Sequence, residues 1–185
     1  MKPDDVLARI VSALDGAGVP YMLTGSLASS IYGTPRATKD IDIVIAPTTR
    51  QLRKLKELLP ESSYYFDLDD ALDAFRRRSQ FNVIDLASMW KVDLIFQKRE
   101  PYDGEAFAHR APIDHDGIRL FVTSAEDSII SKLSWAKLGD SQIQIQDVAG
   151  ILRARRDVLD RPYLEHWVRE LQLEGEWQAA NLMAE

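Results

Sequence analysis

The amino-acid sequence predicts an α/β protein in which a mixed sheet is flanked by helices and followed by a C-terminal helical lobe. Up to about residue 122, runs with the two-residue period or the apolar character of strands alternate with runs of helical spacing. From residue 123 onward, every run has helical spacing. The 185 residues, of which 45% are hydrophobic and 28% charged, suffice for one principal core. We therefore expect an α/β body over residues 1–122 and a helical lobe over residues 123–185 packed on it.

The composition excludes several classes of protein. The chain has 29 acidic and 23 basic residues, and the net charge of −6 argues against sequence-independent binding to nucleic acid or anionic membranes. The absence of cysteine excludes disulfide bonds, thiolate nucleophiles and zinc–thiolate sites. No apolar run approaches the roughly 18 residues that a membrane span needs, and Asp4 and Asp5 are unlike a signal peptide. We expect a cytoplasmic protein without a membrane partner.

Helices and strands alternate in the first part of the chain. Apolar residues at helical spacing predict a helix over residues 4–14, and an extended run over residues 21–24 then leads to Gly25. Ser26 is the expected N-cap of a second helix. Residues 40–45 alternate acidic and apolar side chains before becoming wholly apolar, which predicts a strand with one polar end.

The remaining elements follow the same two periodicities. Thr48 and Ser124 are the expected caps of helices, and the Asp-Gly step at residues 116–117 predicts a tight hairpin turn. Trp135 and Trp167 are expected to pack in the core or between helices. The predicted elements are helices over residues 48–59 and 70–78, strands over 81–86, 91–96, 111–113 and 118–122, and helices over 124–139, 142–155, from 162 and over 174–182.

The most informative pattern is Thr24-Gly25-Ser26 followed, after thirteen residues, by Asp40-Ile41-Asp42. Alternate residues of a strand point to the same face, so Asp40 and Asp42 should project together. Two adjacent carboxylates are unfavourable alone. Mg²⁺ or Mn²⁺ binds such oxygens and keeps coordination sites for the phosphates of a nucleoside triphosphate. Gly25 permits close approach of a phosphate, and Ser26 begins a helix whose amides attract it.

A third acid, Asp93, is the only charged residue within the apolar run of residues 92–96. A charged group in such a run needs a partner. If its strand lies beside that of Asp40, Asp93 completes a cluster of three carboxylates. It would then act either as a metal ligand or as the group that accepts a proton from an attacking hydroxyl.

Each of these features alone has an ordinary explanation. Gly-Ser pairs are common, and an Asp-x-Asp at a strand end is often two solvated acids; their order along the chain favours a catalytic metal–nucleotide site. Arg36 either braces the turn after Pro35 or binds phosphate through its forked guanidinium. Lys132, taken alone, is a solvated helix residue, and the basic residues at 50–54 and 76–78 are ordinary surface charges.

Together, these residues resemble the nucleotidyltransferase-fold proteins, and specifically their AbiEii-like branch, which is associated with type IV toxin–antitoxin systems. The resemblance includes the glycine–serine segment at residues 24–33, the Arg-x-Thr-x-Asp-Ile-Asp core at residues 36–42 and the third-acid strand at residues 91–94. Residues 125–135 and 146–152 resemble the segments that follow in many bacterial members. The resemblance covers nearly the whole chain.

The resemblance implies a nucleotidyltransferase-like mixed sheet and Mg²⁺-dependent transfer of a nucleotidyl group from a nucleoside triphosphate. The implied acceptor is an RNA end, such as that of tRNA, or a protein hydroxyl, and a cognate antitoxin is the implied partner. The alternative is a non-catalytic protein of the same fold that acts as a binding or regulatory partner. The site implied by the resemblance consists of Asp40, Asp42 and Asp93 for metal binding and catalysis, and Gly25, Ser26, Arg36, Lys132 and Asp147 for nucleotide binding.

Overall fold

The computed structural model describes residues 3–33, 38, 40–115 and 117–185, so Arg36 lies outside the described residues. The described chain divides into two compact units. The first, which we term the sheet unit, contains residues 3–24, 38, 40–115 and 117–122, and the second, the helical unit, contains residues 25–33 and 123–185. Residues 25–33, assigned to the body from the sequence, thus group with the C-terminal helices. The packing of the helical lobe on the body stays a prediction.

The sheet unit contains one mixed sheet. In chain order, its strands are β1 Tyr21–Thr24, β2 Asp40–Ile45, β3 Tyr64–Tyr65, β4 Gln80–Asp85, β5 Lys91–Phe96, β6 Ala111–His115 and β7 Ile118–Val122. Within the described residues, the strand order is β3-β4-β5-β2-β1-β7-β6. β2 is parallel to β5, β1 is parallel to β7, and the other neighbouring pairs are antiparallel. β2 and β5 are therefore interior strands.

The helices of the sheet unit are α1 Pro3–Ala17, α3 Thr49–Leu58, α4 Leu68–Arg77 and α5 Pro101–Ala108. Thr48 caps α3 as predicted, because its side chain accepts a hydrogen bond from the Gln51 amide and its own amide donates to the Gln51 side chain. β6 and β7 pair as the predicted hairpin, and the Gly117 amide donates a hydrogen bond to Asp114 Oδ1 at 3.0 Å; Asp116 lies outside the described residues.

The core of the sheet unit lies against one face of the central strands. Ile41, Ile43 and Ile45 of β2 are fully buried, as are Val92, Leu94 and Phe96 of β5. The ring of Phe96 meets the α4 side chain Phe75 edge-on, with centroids 5.6 Å apart. These residues alternate with Asp40, Asp42 and Val44 of β2 and with Lys91, Asp93 and Ile95 of β5, which is the two-residue period of a strand.

The helical unit contains α2 Gly25–Tyr32, α6 Ala125–Gly139, α7 Gln142–Arg155, α8 Arg161–Glu170 and α9 Glu174–Ala184. Ser124 caps α6 as predicted, since its hydroxyl accepts a hydrogen bond from the Asp127 amide at 2.9 Å. Gly33 follows α2 directly and lies against α7. A side-chain carbon at that position would come within 2.9 Å of the Ile151 backbone nitrogen, so this approach requires glycine.

Two sequence-based expectations are wrong in detail, and two elements were not predicted. Ser26 is not the cap of α2: the helix already begins at Gly25, whose φ of 68° is a left-handed value that glycine adopts without strain. Trp135 is 62% exposed, whereas Trp167 is buried as expected. The sequence analysis also missed α5 and the two-residue strand β3.

None of the helices, over the part of the chain that the structure describes, is both long enough and apolar enough to span a membrane.

Candidate active site

The three predicted acids lie on two adjacent parallel strands. β2 pairs with β5 so that Asp42 is opposite Asp93 and Asp40 is opposite Lys91. Directly opposed residues of neighbouring strands project from the same face of a sheet, so all four side chains share one face. The prediction that the strand of Asp93 lies beside that of Asp40 is confirmed. Sequence analysis identified the acids but missed Lys91.

The alternation along β2 explains why the acids point away from the core. Ile41, Ile43 and Ile45 are fully buried on the opposite face, while Asp40 and Asp42 are partly exposed. A one-residue change of register would put both carboxylates into the apolar core, at a cost that no hydrogen bond there would offset. The apolar residues of β2 therefore fix the face on which its acids lie.

Four polar side chains form a row across the centre of the sheet, which we term the polar row. In β1, Thr24 pairs with Asp42; in β5, Asp93 pairs with Asp42; and in β4, Asn82 pairs with Asp93. Asn82 is exposed, whereas Asp93 is only 6% exposed. The polar row thus places the most buried carboxylate between two other polar side chains.

Lys91 supplies a positive charge to this group of acids. Its Nζ lies 2.9 Å from Asp93 Oδ2, with the lysine side chain 41% and the aspartate side chain 8% exposed. The hydrogen bond to Asp93 raises the pKa of Lys91, desolvation opposes this, and the charges of Asp93, Asp40 and Asp42 raise it further. All three carboxylates therefore act on one ammonium group.

The second oxygen of Asp93 is in a different environment. Oδ1 is buried and, among the described residues, has no hydrogen-bond partner. A buried carboxylate oxygen without a partner is costly, so such an atom calls for an explanation other than stability. Its neighbour across the strand pair is Asp42, a second carboxylate.

Thr38 positions the first acid. Its hydroxyl lies 2.7 Å from Asp40 Oδ1, to which it donates a hydrogen bond. The threonine precedes the strand by two residues, so the contact holds the Asp40 carboxylate near the start of β2. Thr38 lies within the Arg-x-Thr-x-Asp-Ile-Asp segment, but the sequence alone gave it no role.

The acids fit a divalent cation in part. Within residues 3–33, 38, 40–115 and 117–185, no group of three or more His, Cys, Asp or Glu side chains is arranged so that it could hold a metal ion. Carboxylate oxygens are nevertheless the donors that Mg²⁺ and Mn²⁺ prefer, and Asp93 Oδ1 is a buried oxygen that lacks a partner within these residues. Asp42 and Asp93 would hold such an ion, and Asp40 lies two residues before Asp42 on the same face.

Gly25 and Ser26 belong to the helical unit. The carbonyl of Ser26 accepts hydrogen bonds from the hydroxyls of Ser29 at 3.0 Å and Ser30 at 2.8 Å, which adds side-chain contacts to the first turn of α2. Gly25 has a left-handed φ of 68°, and its lack of a side chain is what the prediction of a close approach to phosphate depends on. A role for the two residues in binding a triphosphate stays a prediction.

Lys132 and Asp147 come together in the helical unit. Lys132 Nζ lies 2.7 Å from Asp147 Oδ2 and 3.1 Å from Gln144 Oε1, and the lysine is only 4% exposed. The interpretation of Lys132 as a solvated helix residue is therefore wrong, since α7 supplies it with a carboxylate partner. The lysine is also not free to extend elsewhere without breaking this pair. Nucleotide binding by the two residues stays a prediction.

Known proteins that are similar to this chain were found only by comparison of structures. No family model and no curated protein matches it. Among solved structures, it is similar to an antigenic nucleotidyltransferase-like protein from Paracoccidioides brasiliensis, with a TM-score of 0.57, 17% identity, and coverage of 95% of this chain and 90% of that one.

Two further similar structures are an antibiotic-resistance factor and an antibiotic adenylyltransferase. The antibiotic-resistance factor ANT(2'')-Ia matches with a TM-score of 0.51 and 15% identity, over 100% of this chain and 91% of that one. The lincosamide antibiotic adenylyltransferase LnuA matches with a TM-score of 0.51 and 13% identity, over 82% of this chain and 98% of that one. At these identities, the matches show that the chain has a nucleotidyltransferase fold, as its sequence predicted.

Proposed function

We propose that this chain is a metal-dependent nucleotidyltransferase, which moves a nucleotidyl group from a nucleoside triphosphate to a hydroxyl of an acceptor. The observation that carries the proposal is the pairing of Asp42 with Asp93 on interior parallel strands, next to a buried Asp93 oxygen without a partner in the described chain. The nucleotidyltransferase fold of the chain supports the same chemistry.

Asp42 and Asp93 are the proposed ligands of Mg²⁺ or Mn²⁺, and Asp40 is the further ligand that the resemblance to the nucleotidyltransferase-fold proteins implies. When bound, the cation would neutralise triphosphate charge and make the α-phosphorus more electrophilic. The strands contribute position: because β2 and β5 are hydrogen-bonded along their whole length, the backbone of each acid is fixed before substrate arrives.

The proposed reaction is a substitution at the α-phosphorus. The acceptor oxygen forms a bond to that phosphorus, and the bond to the bridging oxygen breaks, so that pyrophosphate leaves. Asp93 is also the proposed acceptor of the proton of the acceptor hydroxyl. Gly25, Ser26, Arg36 and Lys132 are the proposed contacts of the triphosphate, with Asp147 supporting the lysine.

The acceptor that we propose is an RNA end or a protein hydroxyl, as the resemblance to the AbiEii-like branch implies. In that case the chain is the toxin of a cytoplasmic toxin–antitoxin pair. Among the similar structures, ANT(2'')-Ia was solved in complex with adenylyl-2''-tobramycin and LnuA with lincomycin bound. A small molecule with hydroxyl groups is therefore the acceptor class that must be tested beside RNA and protein.

The proposal can be tested by label transfer. The protein is incubated with each α-labelled nucleoside triphosphate, Mg²⁺ or Mn²⁺, and separate acceptor fractions of total RNA, total protein and tobramycin. We expect label in the RNA or protein fraction, dependent on the divalent ion and lost in Asp42→Asn. The matched control is Asp157→Asn, which neutralises an exposed aspartate in the helical unit and should transfer label as the wild type does.

The result also separates the alternative function. A non-catalytic regulatory protein of the same fold would bind triphosphate or a partner but label no fraction under any ion. Label confined to tobramycin would support nucleotidyl transfer but contradict the proposed RNA or protein acceptor.

A further inference from the structure

Lys91 lies where the proposed metal ion must act, and no part of the proposed function uses it as a charge. It is the residue opposite Asp40 across the parallel pair, and its ammonium hydrogen-bonds Asp93 at 2.9 Å. On its other side, in β4, the paired residue is Ile84, which contributes no charge. Within the described residues, Asp93, Asp40 and Asp42 are the charged groups that act on the ammonium.

We propose that Lys91 is the built-in counter-ion of the acid cluster, which holds Asp93 while no divalent ion is bound and competes with that ion for the carboxylates. The inference rests on the proposed function, because it assumes that Asp42 and Asp93 hold the metal. In this role, Lys91 sets the affinity of the site for the divalent ion and makes that affinity depend on the triphosphate.

The charges of the site support this role. Among the described residues, the three carboxylates carry a formal charge of about −3 and the lysine reduces it to about −2, which one divalent ion can offset. Without Lys91, the same ion would meet one more uncompensated negative charge at close range. Removing the lysine should therefore strengthen binding of a free divalent ion, even though it removes a favourable contact of Asp93.

The geometry of Asp93 points in the same direction. Lys91 occupies Oδ2 and leaves Oδ1 without a partner in the described chain. An ion that binds both Asp42 and Asp93 would bring a second positive charge beside the ammonium, and the two cations repel. A bound triphosphate would relieve this repulsion, since its negative charge can pair with the ammonium that is already 41% exposed.

The consequence is coupling between nucleotide and metal. In the wild type, the divalent ion should bind weakly alone and much more tightly with the triphosphate. Loss of the lysine charge should raise the affinity for the ion alone. It should also reduce the factor by which the triphosphate tightens binding of the ion, and that factor measures the coupling between the two ligands.

The test measures binding of Mn²⁺ by the decrease in the electron paramagnetic resonance signal of the free ion, with and without a non-hydrolysable triphosphate analogue. We expect Lys91→Met to bind Mn²⁺ alone at least about tenfold more tightly than the wild type. The analogue should tighten Mn²⁺ binding less in this variant. Lys91→Arg, which keeps the charge, should behave as the wild type, and so should Lys54→Met, which removes an exposed lysine from α3.

The outcomes distinguish this inference from the proposed function. Mn²⁺ binding that is equal in wild type and Lys91→Met overturns the counter-ion role but leaves the metal site in place. Weaker binding in the variant also overturns it, and shows that the lysine orients Asp93 for the metal instead. Failure of both proteins to bind Mn²⁺, with or without the analogue, overturns the metal site and the inference together. Lys91→Gln provides a second neutral variant if Lys91→Met does not fold, as judged by circular dichroism.

Discussion

Asp42 and Asp93 lie directly opposite each other on hydrogen-bonded parallel strands, so the separation of their backbones is that of any neighbouring strands, about 4.8 Å. The two residues are 51 positions apart in the sequence, and only the sheet brings them together. Because the pairing of these strands is made by backbone hydrogen bonds, we expect the fold to survive neutralisation of these acids. The first two predictions below use this property.

The first prediction concerns metal-dependent binding. Asp40→Asn combined with Asp42→Asn should abolish the dependence of triphosphate binding on Mg²⁺ or Mn²⁺, because neutral amides do not offset a divalent charge. Isothermal titration calorimetry with and without the ion measures this, with Asp157→Asn as the control. Equal triphosphate affinity in wild type and double variant, with and without metal, would show that these acids are not the metal site.

The second prediction separates chemistry from stability. Asp93→Asn should lower turnover by a factor of at least about a hundred, the scale of a positioned acid–base group. The thermal unfolding midpoint should change little, because the amide keeps the shape of the side chain and the lost ion pair involves a lysine that is 41% exposed. Quantitative label transfer and calorimetric unfolding provide the two measurements. Unchanged turnover would remove Asp93 from the reaction as base and as ligand.

The third prediction concerns the pair of Lys132 and Asp147. Lys132→Ala should lower the free energy of unfolding by about 3 kcal/mol, because it leaves a largely buried carboxylate without its counter-ion. Lys132→Met combined with Asp147→Leu should recover most of that loss, since no charge then remains. Urea unfolding tests both.

The double variant also tests nucleotide binding at Lys132 without the loss of stability. If the lysine contacts triphosphate, the folded double variant should bind it more weakly by about 1.5–3 kcal/mol. Unchanged triphosphate affinity in the double variant would leave the lysine with a structural role alone.

The fourth prediction is a dependence of stability on pH at Asp85, which is 3% exposed. Burial by itself raises its pKa, but hydrogen bonds from Ser88 and from Arg9, whose Nη2 lies 2.7 Å from Oδ1, outweigh burial and lower the pKa overall. A lowered pKa in the folded state contributes stability above about pH 4 that is lost as the pH falls further.

Asp85→Asn should therefore be less stable than the wild type at neutral pH, and its unfolding free energy should fall less steeply below about pH 4. Urea unfolding at a series of pH values measures both slopes. Parallel pH profiles for the two proteins would contradict the assignment of this carboxylate as a source of acid sensitivity.

The strand β2 could be predicted because acidic and apolar residues alternate at its start and the rest of its six residues are apolar. The sequence suggested that β5 lies beside β2, and the observed pairing of the two strands confirms it. Lys91 was missed although it lies two residues before Asp93 on the same strand face, a spacing that itself predicts a shared environment.

Other features depend on contacts that no local pattern contains. The burial of Lys132 requires Asp147 and Gln144 from the next helix, and helical spacing alone gives a lysine no reason to be buried. Trp135 shares the helical period of its buried neighbours but is exposed. The start of α2 was shifted by one residue because serine is a frequent cap, whereas the positive φ of Gly25 is a backbone property.

The position of the acid-bearing strands matters for how this scaffold can be altered. β2 and β5 are interior strands, whereas β3 and β6 are the edges of the sheet within the described chain. The turn between β6 and β7 ends at Gly117, where an added side-chain carbon would meet no atom within 4 Å. Inserted loops or grafted recognition segments at that turn would leave the register of Asp42 and Asp93 unchanged. The sheet edge can therefore be varied without changing the strand pairing on which the candidate site depends.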